Sequence, residues 1–214
     1  MRFIKKWSYG CAFSLARQLN ENHEKRGVYY YAFQIIIGSA VKAAAMALIS
    51  LLLGIFKETV AVMAFFISLR VIAGGFHMDT YGKCFAASTA IFLLSGALVK
   101  YVGPYLGTVQ IAILAAAVFF LGLGAVIKWA PADTPNKPIT KLEQIKRLKK
   151  MSAGYFLVWL AAIAALLAFD FRMYALAGCV GVLLSIFIIS PAGYRFFGAI
   201  GEAGNMRKRR KTAN

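Results

Sequence analysis

Acidic residues are scarce in this chain: 8 Asp and Glu stand against 25 Lys and Arg among 214 residues, a formal charge of +17. Carboxylates this few, scattered singly, argue against a phosphotransferase that clusters aspartates around a metal. Charged residues of both signs make up only 15% of the chain while 60% are hydrophobic, so the basic excess does not describe a nucleic-acid-binding domain. The bases punctuate long apolar stretches, which is the pattern of an integral membrane protein. Cysteine is sparse as well. Cys11, Cys84 and Cys179 lie far apart with no C-x-x-C pair, which argues against a disulfide framework or a zinc knuckle. H-E-x-x-H, G-x-S-x-G and P-loop strings are missing, excluding a zincin, a serine nucleophile on an elbow and an ATP-driven pump in this chain. No metal or cofactor is expected. No A-x-A-like site follows the basic N-terminus, where Glu21 and Glu24 precede the first apolar run, so no removable signal peptide is expected.

A helix needs about 20 mostly apolar residues to cross the hydrocarbon core. Six stretches qualify: residues 31–55, 59–76, 84–101, 106–127, 152–170 and 173–193. Arg70 interrupts the second, and the Asp170 to Arg172 corner predicts a tight helical hairpin between the last two. Together they use up most of the chain and leave no room for a separate soluble domain. The expected fold is a single all-α, polytopic membrane domain over residues 1–214.

Positive residues favour the cytoplasmic side. The N-terminal segment carries Arg2, Lys5, Lys6, Arg17, Lys25 and Arg26, and the second connection carries Lys83. The fourth carries Lys128, Lys137, Lys141, Lys146, Arg147, Lys149 and Lys150, and the tail Arg195, Arg207, Lys208, Arg209, Arg210 and Lys211. The odd-numbered connections hold only Lys57, Lys100 and Arg172. Six spans in the cell membrane with both termini cytoplasmic follow. Residues 1–28 are then a cytoplasmic or interfacial segment, 128–151 a basic cytoplasmic loop and 194–214 a basic cytoplasmic tail. Ile4, Trp7, Cys11, Leu15 and Gln18 recur at helical spacing, which predicts an amphipathic helix in the membrane interface; the alternative is a disordered basic tail. Residues 130–139 hold Pro131, Pro135 and Pro138 and cannot be helical. A short surface helix is expected from Thr140 to Lys150.

One segment gathers chemistry: Arg70-Val-Ile-Ala-Gly74-Gly75-Phe-His77-Met-Asp79-Thr-Tyr-Gly82-Lys83-Cys84. On an unbroken helix His77 and Cys84 share a face but stand about 10.5 Å apart along the axis, too far for a hydrogen bond. Gly74, Gly75 and Gly82 permit a break that folds the imidazole back toward the thiol. A free thiol is mostly protonated at neutral pH, and an adjacent imidazole, a helix N-terminus and the neighbouring Lys83 all favour the thiolate. The plainer alternative is a small packing cysteine at a helix start and a solvated histidine. Asp79 has two readings, orienting the imidazole or beginning a turn. Arg70 either binds a substrate carboxylate or ties helices together, and Lys42, in the first span, carries the same ambiguity with a structural role favoured. Cys11, Cys179 and His23 are expected to be structural. Gly38, Gly122, Gly124, Gly178 and Gly181 permit close helix approach and leave a homodimer interface open without locating it.

The string from Arg70 through Gly74, Gly75 and His77 to Cys84 and Ser88 resembles the signature of the accessory gene regulator B (AgrB) family, membrane cysteine endopeptidases of peptide quorum sensing in Gram-positive bacteria. The Pro131 to Ile139 run is similar to that family's proline-rich segment. The resemblance implies a pro-peptide substrate of the AgrD type, whose acidic C-terminal tail is cleaved off as a thiolactone or lactone ring forms. It implies Cys84 as nucleophile and His77 as general base, and it does not include Asp79. Oxyanion donors would come from Arg70 or from the N–H groups of Gly74 and Gly75. The rival reading from another class is a non-enzymatic membrane peptide exporter or scaffold in which Cys84 is incidental. The charge count puts the site at the cytoplasmic face, where the basic surface should attract an acidic peptide tail and anionic lipid. Raising the salt concentration should therefore weaken binding to acidic-tailed peptide and to anionic vesicles alike, measured by co-sedimentation; salt-independent binding would contradict the electrostatic account.

Overall fold

The computed structural model describes residues 2–76, 80–132 and 142–199. Seven α-helices follow one another: α1 (Arg2–Gln18), α2 (His23–Leu52), α3 (Phe56–Ala73), α4 (Tyr81–Val102), α5 (Thr108–Trp129), α6 (Leu142–Ala168) and α7 (Arg172–Ile189). A 3-10 turn, Gly103–Tyr105, joins α4 to α5, and residues 191–199 are helical again. No strand is formed among the described residues beyond an isolated bridge between Gly74 and Ala132.

Five helices, α2, α4, α5, α6 and α7, are long and apolar enough to cross a membrane, the make-up of a multi-pass membrane protein. Their outer faces are apolar: Ile113, Phe120 and Leu157 all point outward, Phe120 at 71% exposure. A water-soluble protein rarely leaves so much apolar surface open. Helices stand at all six places expected for spans, but the second is too charged to qualify and five candidate spans remain. α3 has 18 residues and carries Lys57, Glu58 and Arg70. It also stops before residue 76, because Gly74 and Gly75 take φ of 76° and 134°, where helical hydrogen bonding cannot continue.

The core is organised around α7, which packs on α3, α4, α5 and α6. Its seam with α3 is built from small residues at helical spacing. A methyl group added at Gly181 would sit 2.5 Å from the Val62 carbonyl oxygen and 3.0 Å from the Phe66 nitrogen, so the two backbones touch there. One turn on, the buried Ser185 hydroxyl donates to the Phe66 carbonyl at 2.9 Å. In a bilayer, where water exclusion does not drive helices together, such close backbone packing and interhelical hydrogen bonding do.

One sequence expectation is revised. The surface helix expected over Thr140 to Lys150 is not a separate element, since α6 runs unbroken from Leu142 through the basic stretch into the apolar span. α1 is helical, but the face it buries is Ile4, Ser8, Ala12 and Ala16, while Trp7 is 58% exposed. α1 packs along α2, and small residues allow that close contact whereas the indole does not fit in it. The tight corner between the last two helices is as expected: Asp170 takes φ 59°, and the Phe171 N–H donates to the Leu166 carbonyl at 2.7 Å.

Overpacking a close helix seam costs about 1–3 kcal/mol, while Gly to Ala at an open helical position gains about 0.5–1 kcal/mol. Gly181→Ala should therefore lower the thermal midpoint of the detergent-solubilised protein by several degrees. Gly124→Ala, whose added methyl meets nothing within 4 Å, should leave it unchanged or raise it. Equal midpoints for the two variants would refute the α3–α7 seam as described.

Candidate active site

The end of α3 is set by its glycines. The Gly74 N–H closes the last turn on the Arg70 carbonyl at 2.9 Å, and the chain then pairs with the start of the proline-bearing loop. Ala132 donates to the Ala73 carbonyl at 2.8 Å, and Gly75 donates to the Ala132 carbonyl at 3.2 Å. A side chain at Gly74 would run into that Ala132 carbonyl. The N–H groups of Gly74 and Gly75 are thus both engaged, so neither serves as an oxyanion donor in this conformation, contrary to the expectation from sequence.

Phe76 is held from two sides. Its carbonyl accepts a hydrogen bond from the Arg70 Nη2 at 2.6 Å, and its ring packs on Tyr194 and Phe197 with centroids 5.4 and 5.8 Å away. Arg70 also lies over the Phe66 ring at 5.6 Å. Of its two sequence-level readings, the tie within the fold is the one the geometry displays. His77 and Asp79 lie outside the described residues, and with them the His77–Cys84 pairing.

Across the connection, Cys84 sits in the first turn of α4, its N–H donating to the Thr80 carbonyl at 3.1 Å. Its own carbonyl accepts from Ser88 Oγ at 2.7 Å, leaving the thiol as the group turned toward α2. α4 meets α2 where Gly38 makes room for an aromatic ring: the Tyr81 hydroxyl donates to the Gly38 carbonyl at 2.5 Å. One turn along α2, Lys42 Nζ lies 3.4 Å from Cys84 Sγ and 5.7 Å from the Tyr81 ring centroid. Residues 38 and 42 on one helix therefore face 81 and 84 on the other.

These groups share a cleft of about 460 Å³, a size usual for ligand sites. Ser39, Lys42, Arg70, Cys84 and Ser88 supply its polar wall, and Met46, Phe66, Phe92 and Ile188 are among its apolar lining. None of the described lining residues is acidic. The apolar surroundings matter to the strength of any charge contact here. Opposite unit charges about 4 Å apart attract by about 1 kcal/mol in water but about 4 kcal/mol at an effective dielectric near 20. A cation in an apolar cleft can stabilise developing negative charge on a neighbouring group.

Of the residues singled out by sequence, Arg70 and Cys84 share the cleft wall, whereas Lys83 does not line it. The cation at the sulfur is Lys42, which stood out in the sequence only as a charge inside an apolar span. Cys179 is fully buried in α7 and Cys11 half-buried in α1. No group of three His, Cys, Asp or Glu able to hold a metal occurs among the described residues.

Residues 8–189 match the family model described as Accessory gene regulator B. The chain is similar to the accessory gene regulator protein B of Staphylococcus intermedius, 28% identical over 181 residues, covering 84% of this chain and 90% of that one. It is also similar to an AgrB-like protein of Clostridium perfringens (strain SM101 / Type A), 27% identical over 149 residues, or 68% of this chain and 69% of the relative. No solved structure matches. With a family match that spans all but the ends of the chain, and the signature segment lying between two helices of a membrane bundle, the protein belongs to the accessory gene regulator B family.

Proposed function

We propose that the protein is a membrane-embedded cysteine endopeptidase that removes the C-terminal tail of an AgrD-type quorum-sensing pro-peptide and promotes closure of the signal ring. The observation that carries this reading is the Cys84 thiol on the wall of an apolar cleft, 3.4 Å from an ammonium group. A cysteine kept only for packing is buried among apolar neighbours, as Cys179 is.

The Cys84 thiolate attacks the carbonyl carbon at the end of the signal region, and His77 takes up the thiol proton. The tetrahedral adduct collapses, the C–N bond breaks, and the departing amine carries off that proton. The signal region remains as a thioester on Cys84. A thiol or hydroxyl of the same peptide, its proton passing to His77, then attacks the thioester, closes the ring and releases Cys84. Holding that group close while excluding water decides between ring closure and hydrolysis. The apolar lining of the cleft suits this.

The same end of the bundle gathers the end of α3, the start of α4 and the ends of α5 and α7, as the Gly75–Ala132 and Phe76–Ile188 hydrogen bonds require. Lys83, Lys128 and the basic start of α6 belong to that end. By charge it is the cytoplasmic end, where a newly made peptide with an acidic tail arrives. In this arrangement α3 makes the sixth crossing despite its charges, supported by α7. α1 lies in the interface, with Phe3, Trp7 and Phe13 turned outward.

Co-expression with a candidate pro-peptide, read by mass, tests the proposal. Wild type should yield the peptide without its tail. Cys84→Ala, at equal membrane abundance, should reduce tail removal by about a thousandfold or more. Tail removal that persists in Cys84→Ala would overturn the proposal and favour a carrier in which the thiol is incidental.

A further inference from the structure

Lys42 lies within an apolar helix, where an ammonium group must find a polar partner. No acidic side chain among the described residues lines the cleft it faces, and the group it reaches is the Cys84 sulfur at 3.4 Å. A lysine that served only to join α2 to α4 would end on a carbonyl or a carboxylate. That tie is already made one turn away by Tyr81, whose hydroxyl donates to the Gly38 carbonyl.

We propose that Lys42 is a catalytic residue whose ammonium group, in contact with the Cys84 sulfur, stabilises the negative charge as it passes between sulfur and substrate during the reaction. The proposal rests on the reading of Cys84 as the nucleophile. Lys42 keeps its three protons throughout, and the proton lost by the thiol goes to His77. As the sulfur bonds to the carbonyl carbon, the negative charge moves from the sulfur onto the carbonyl oxygen. An ammonium group beside the sulfur is placed to donate to that oxygen, a role the engaged N–H groups of Gly74 and Gly75 do not fill. The C–N bond then breaks, and the nitrogen takes the proton from His77. When the thioester is opened by the peptide's own nucleophile, the electron pair returns to Cys84, and the same cation stabilises the sulfur as a leaving group. One cation thus assists the sulfur both in attack and in departure.

The ionisable groups around the sulfur come from several elements. Lys42 faces it from α2 and Arg70 from α3, while Tyr81 and Lys83 share its helix. Tyr194, among the helical residues 191–199, interacts electrostatically with Arg70. Arg70 donates to the Phe76 carbonyl, and Lys42 is a cation in direct contact with the sulfur.

The test is the rate of Cys84 alkylation by iodoacetamide as a function of pH. It is followed on the Cys84 peptide by mass, in the full-length protein reconstituted in lipid nanodiscs. Lys42→Met should move the alkylation midpoint upward by about one pH unit or more and slow the neutral-pH reaction about tenfold. Lys42→Arg should stay close to wild type. Lys42→Gln replaces Lys42→Met if the latter does not elute as folded protein. Coincident profiles for wild type and the neutral variants would overturn the role of Lys42, even where the pro-peptide is cut. A shifted profile in a protein that cuts no pro-peptide would uphold the Lys42–Cys84 pair while the peptidase reading fails.

Discussion

How closely α7 can approach α3 governs the site end of this bundle. α3 carries Lys57, Glu58 and Arg70 and is not among the helices apolar enough to cross a membrane on their own. The missing side chain at Gly181 lets the two backbones touch, and Ser185 adds a buried hydrogen bond to the Phe66 carbonyl. That contact fixes the height of α3, and therefore where its last turn ends. Arg70, Gly74 and Gly75 lie in or just after that turn, so their positions over the cleft follow from packing on the far side of the helix. The polar end of α3 and its apolar seam are two faces of one rigid rod.

The site itself is assembled from three helices that contribute little individually. α2 brings an ammonium group, α4 a thiol, and α3 a guanidinium that secures Phe76. Each of these groups would be unfavourable alone in an apolar layer. Brought together they form a compact polar cluster walled by methionine, isoleucine and phenylalanine. This is the general condition for chemistry in a membrane helix bundle: polar groups survive where they answer one another, and the apolar wall that isolates them also strengthens their mutual field.

Much of the architecture was legible because it is written in local runs. Apolar stretches of membrane-crossing length announce helices, and the Asp170 to Arg172 corner announces a turn, without reference to anything distant. Arg70 marked α3 as the weak span for the same reason. The spacing of Ile4, Trp7 and Cys11 announced a helix at α1, but not that Ser8 and Ala12 would meet α2, because that contact depends on a distant partner. In the site, the glycine break was legible, since two glycines in a row permit what other residues resist. The engagement of their N–H groups was not, because their partners include Ala132, far along the chain. Nor was the neighbour of the sulfur. Lys83 is adjacent in sequence and Lys42 is not, yet helix packing brings the distant lysine to Cys84.

The backbone pairing of Ala132 with Ala73 and Gly75 has a mechanical consequence. Ala132 is where α5 hands over to the segment rich in proline and lysine, and Gly75 is one residue from the ring-clamped Phe76. A shift of Ala132 is therefore carried to the last residues of α3 and to Phe76 by two hydrogen bonds, without passing along the intervening helices.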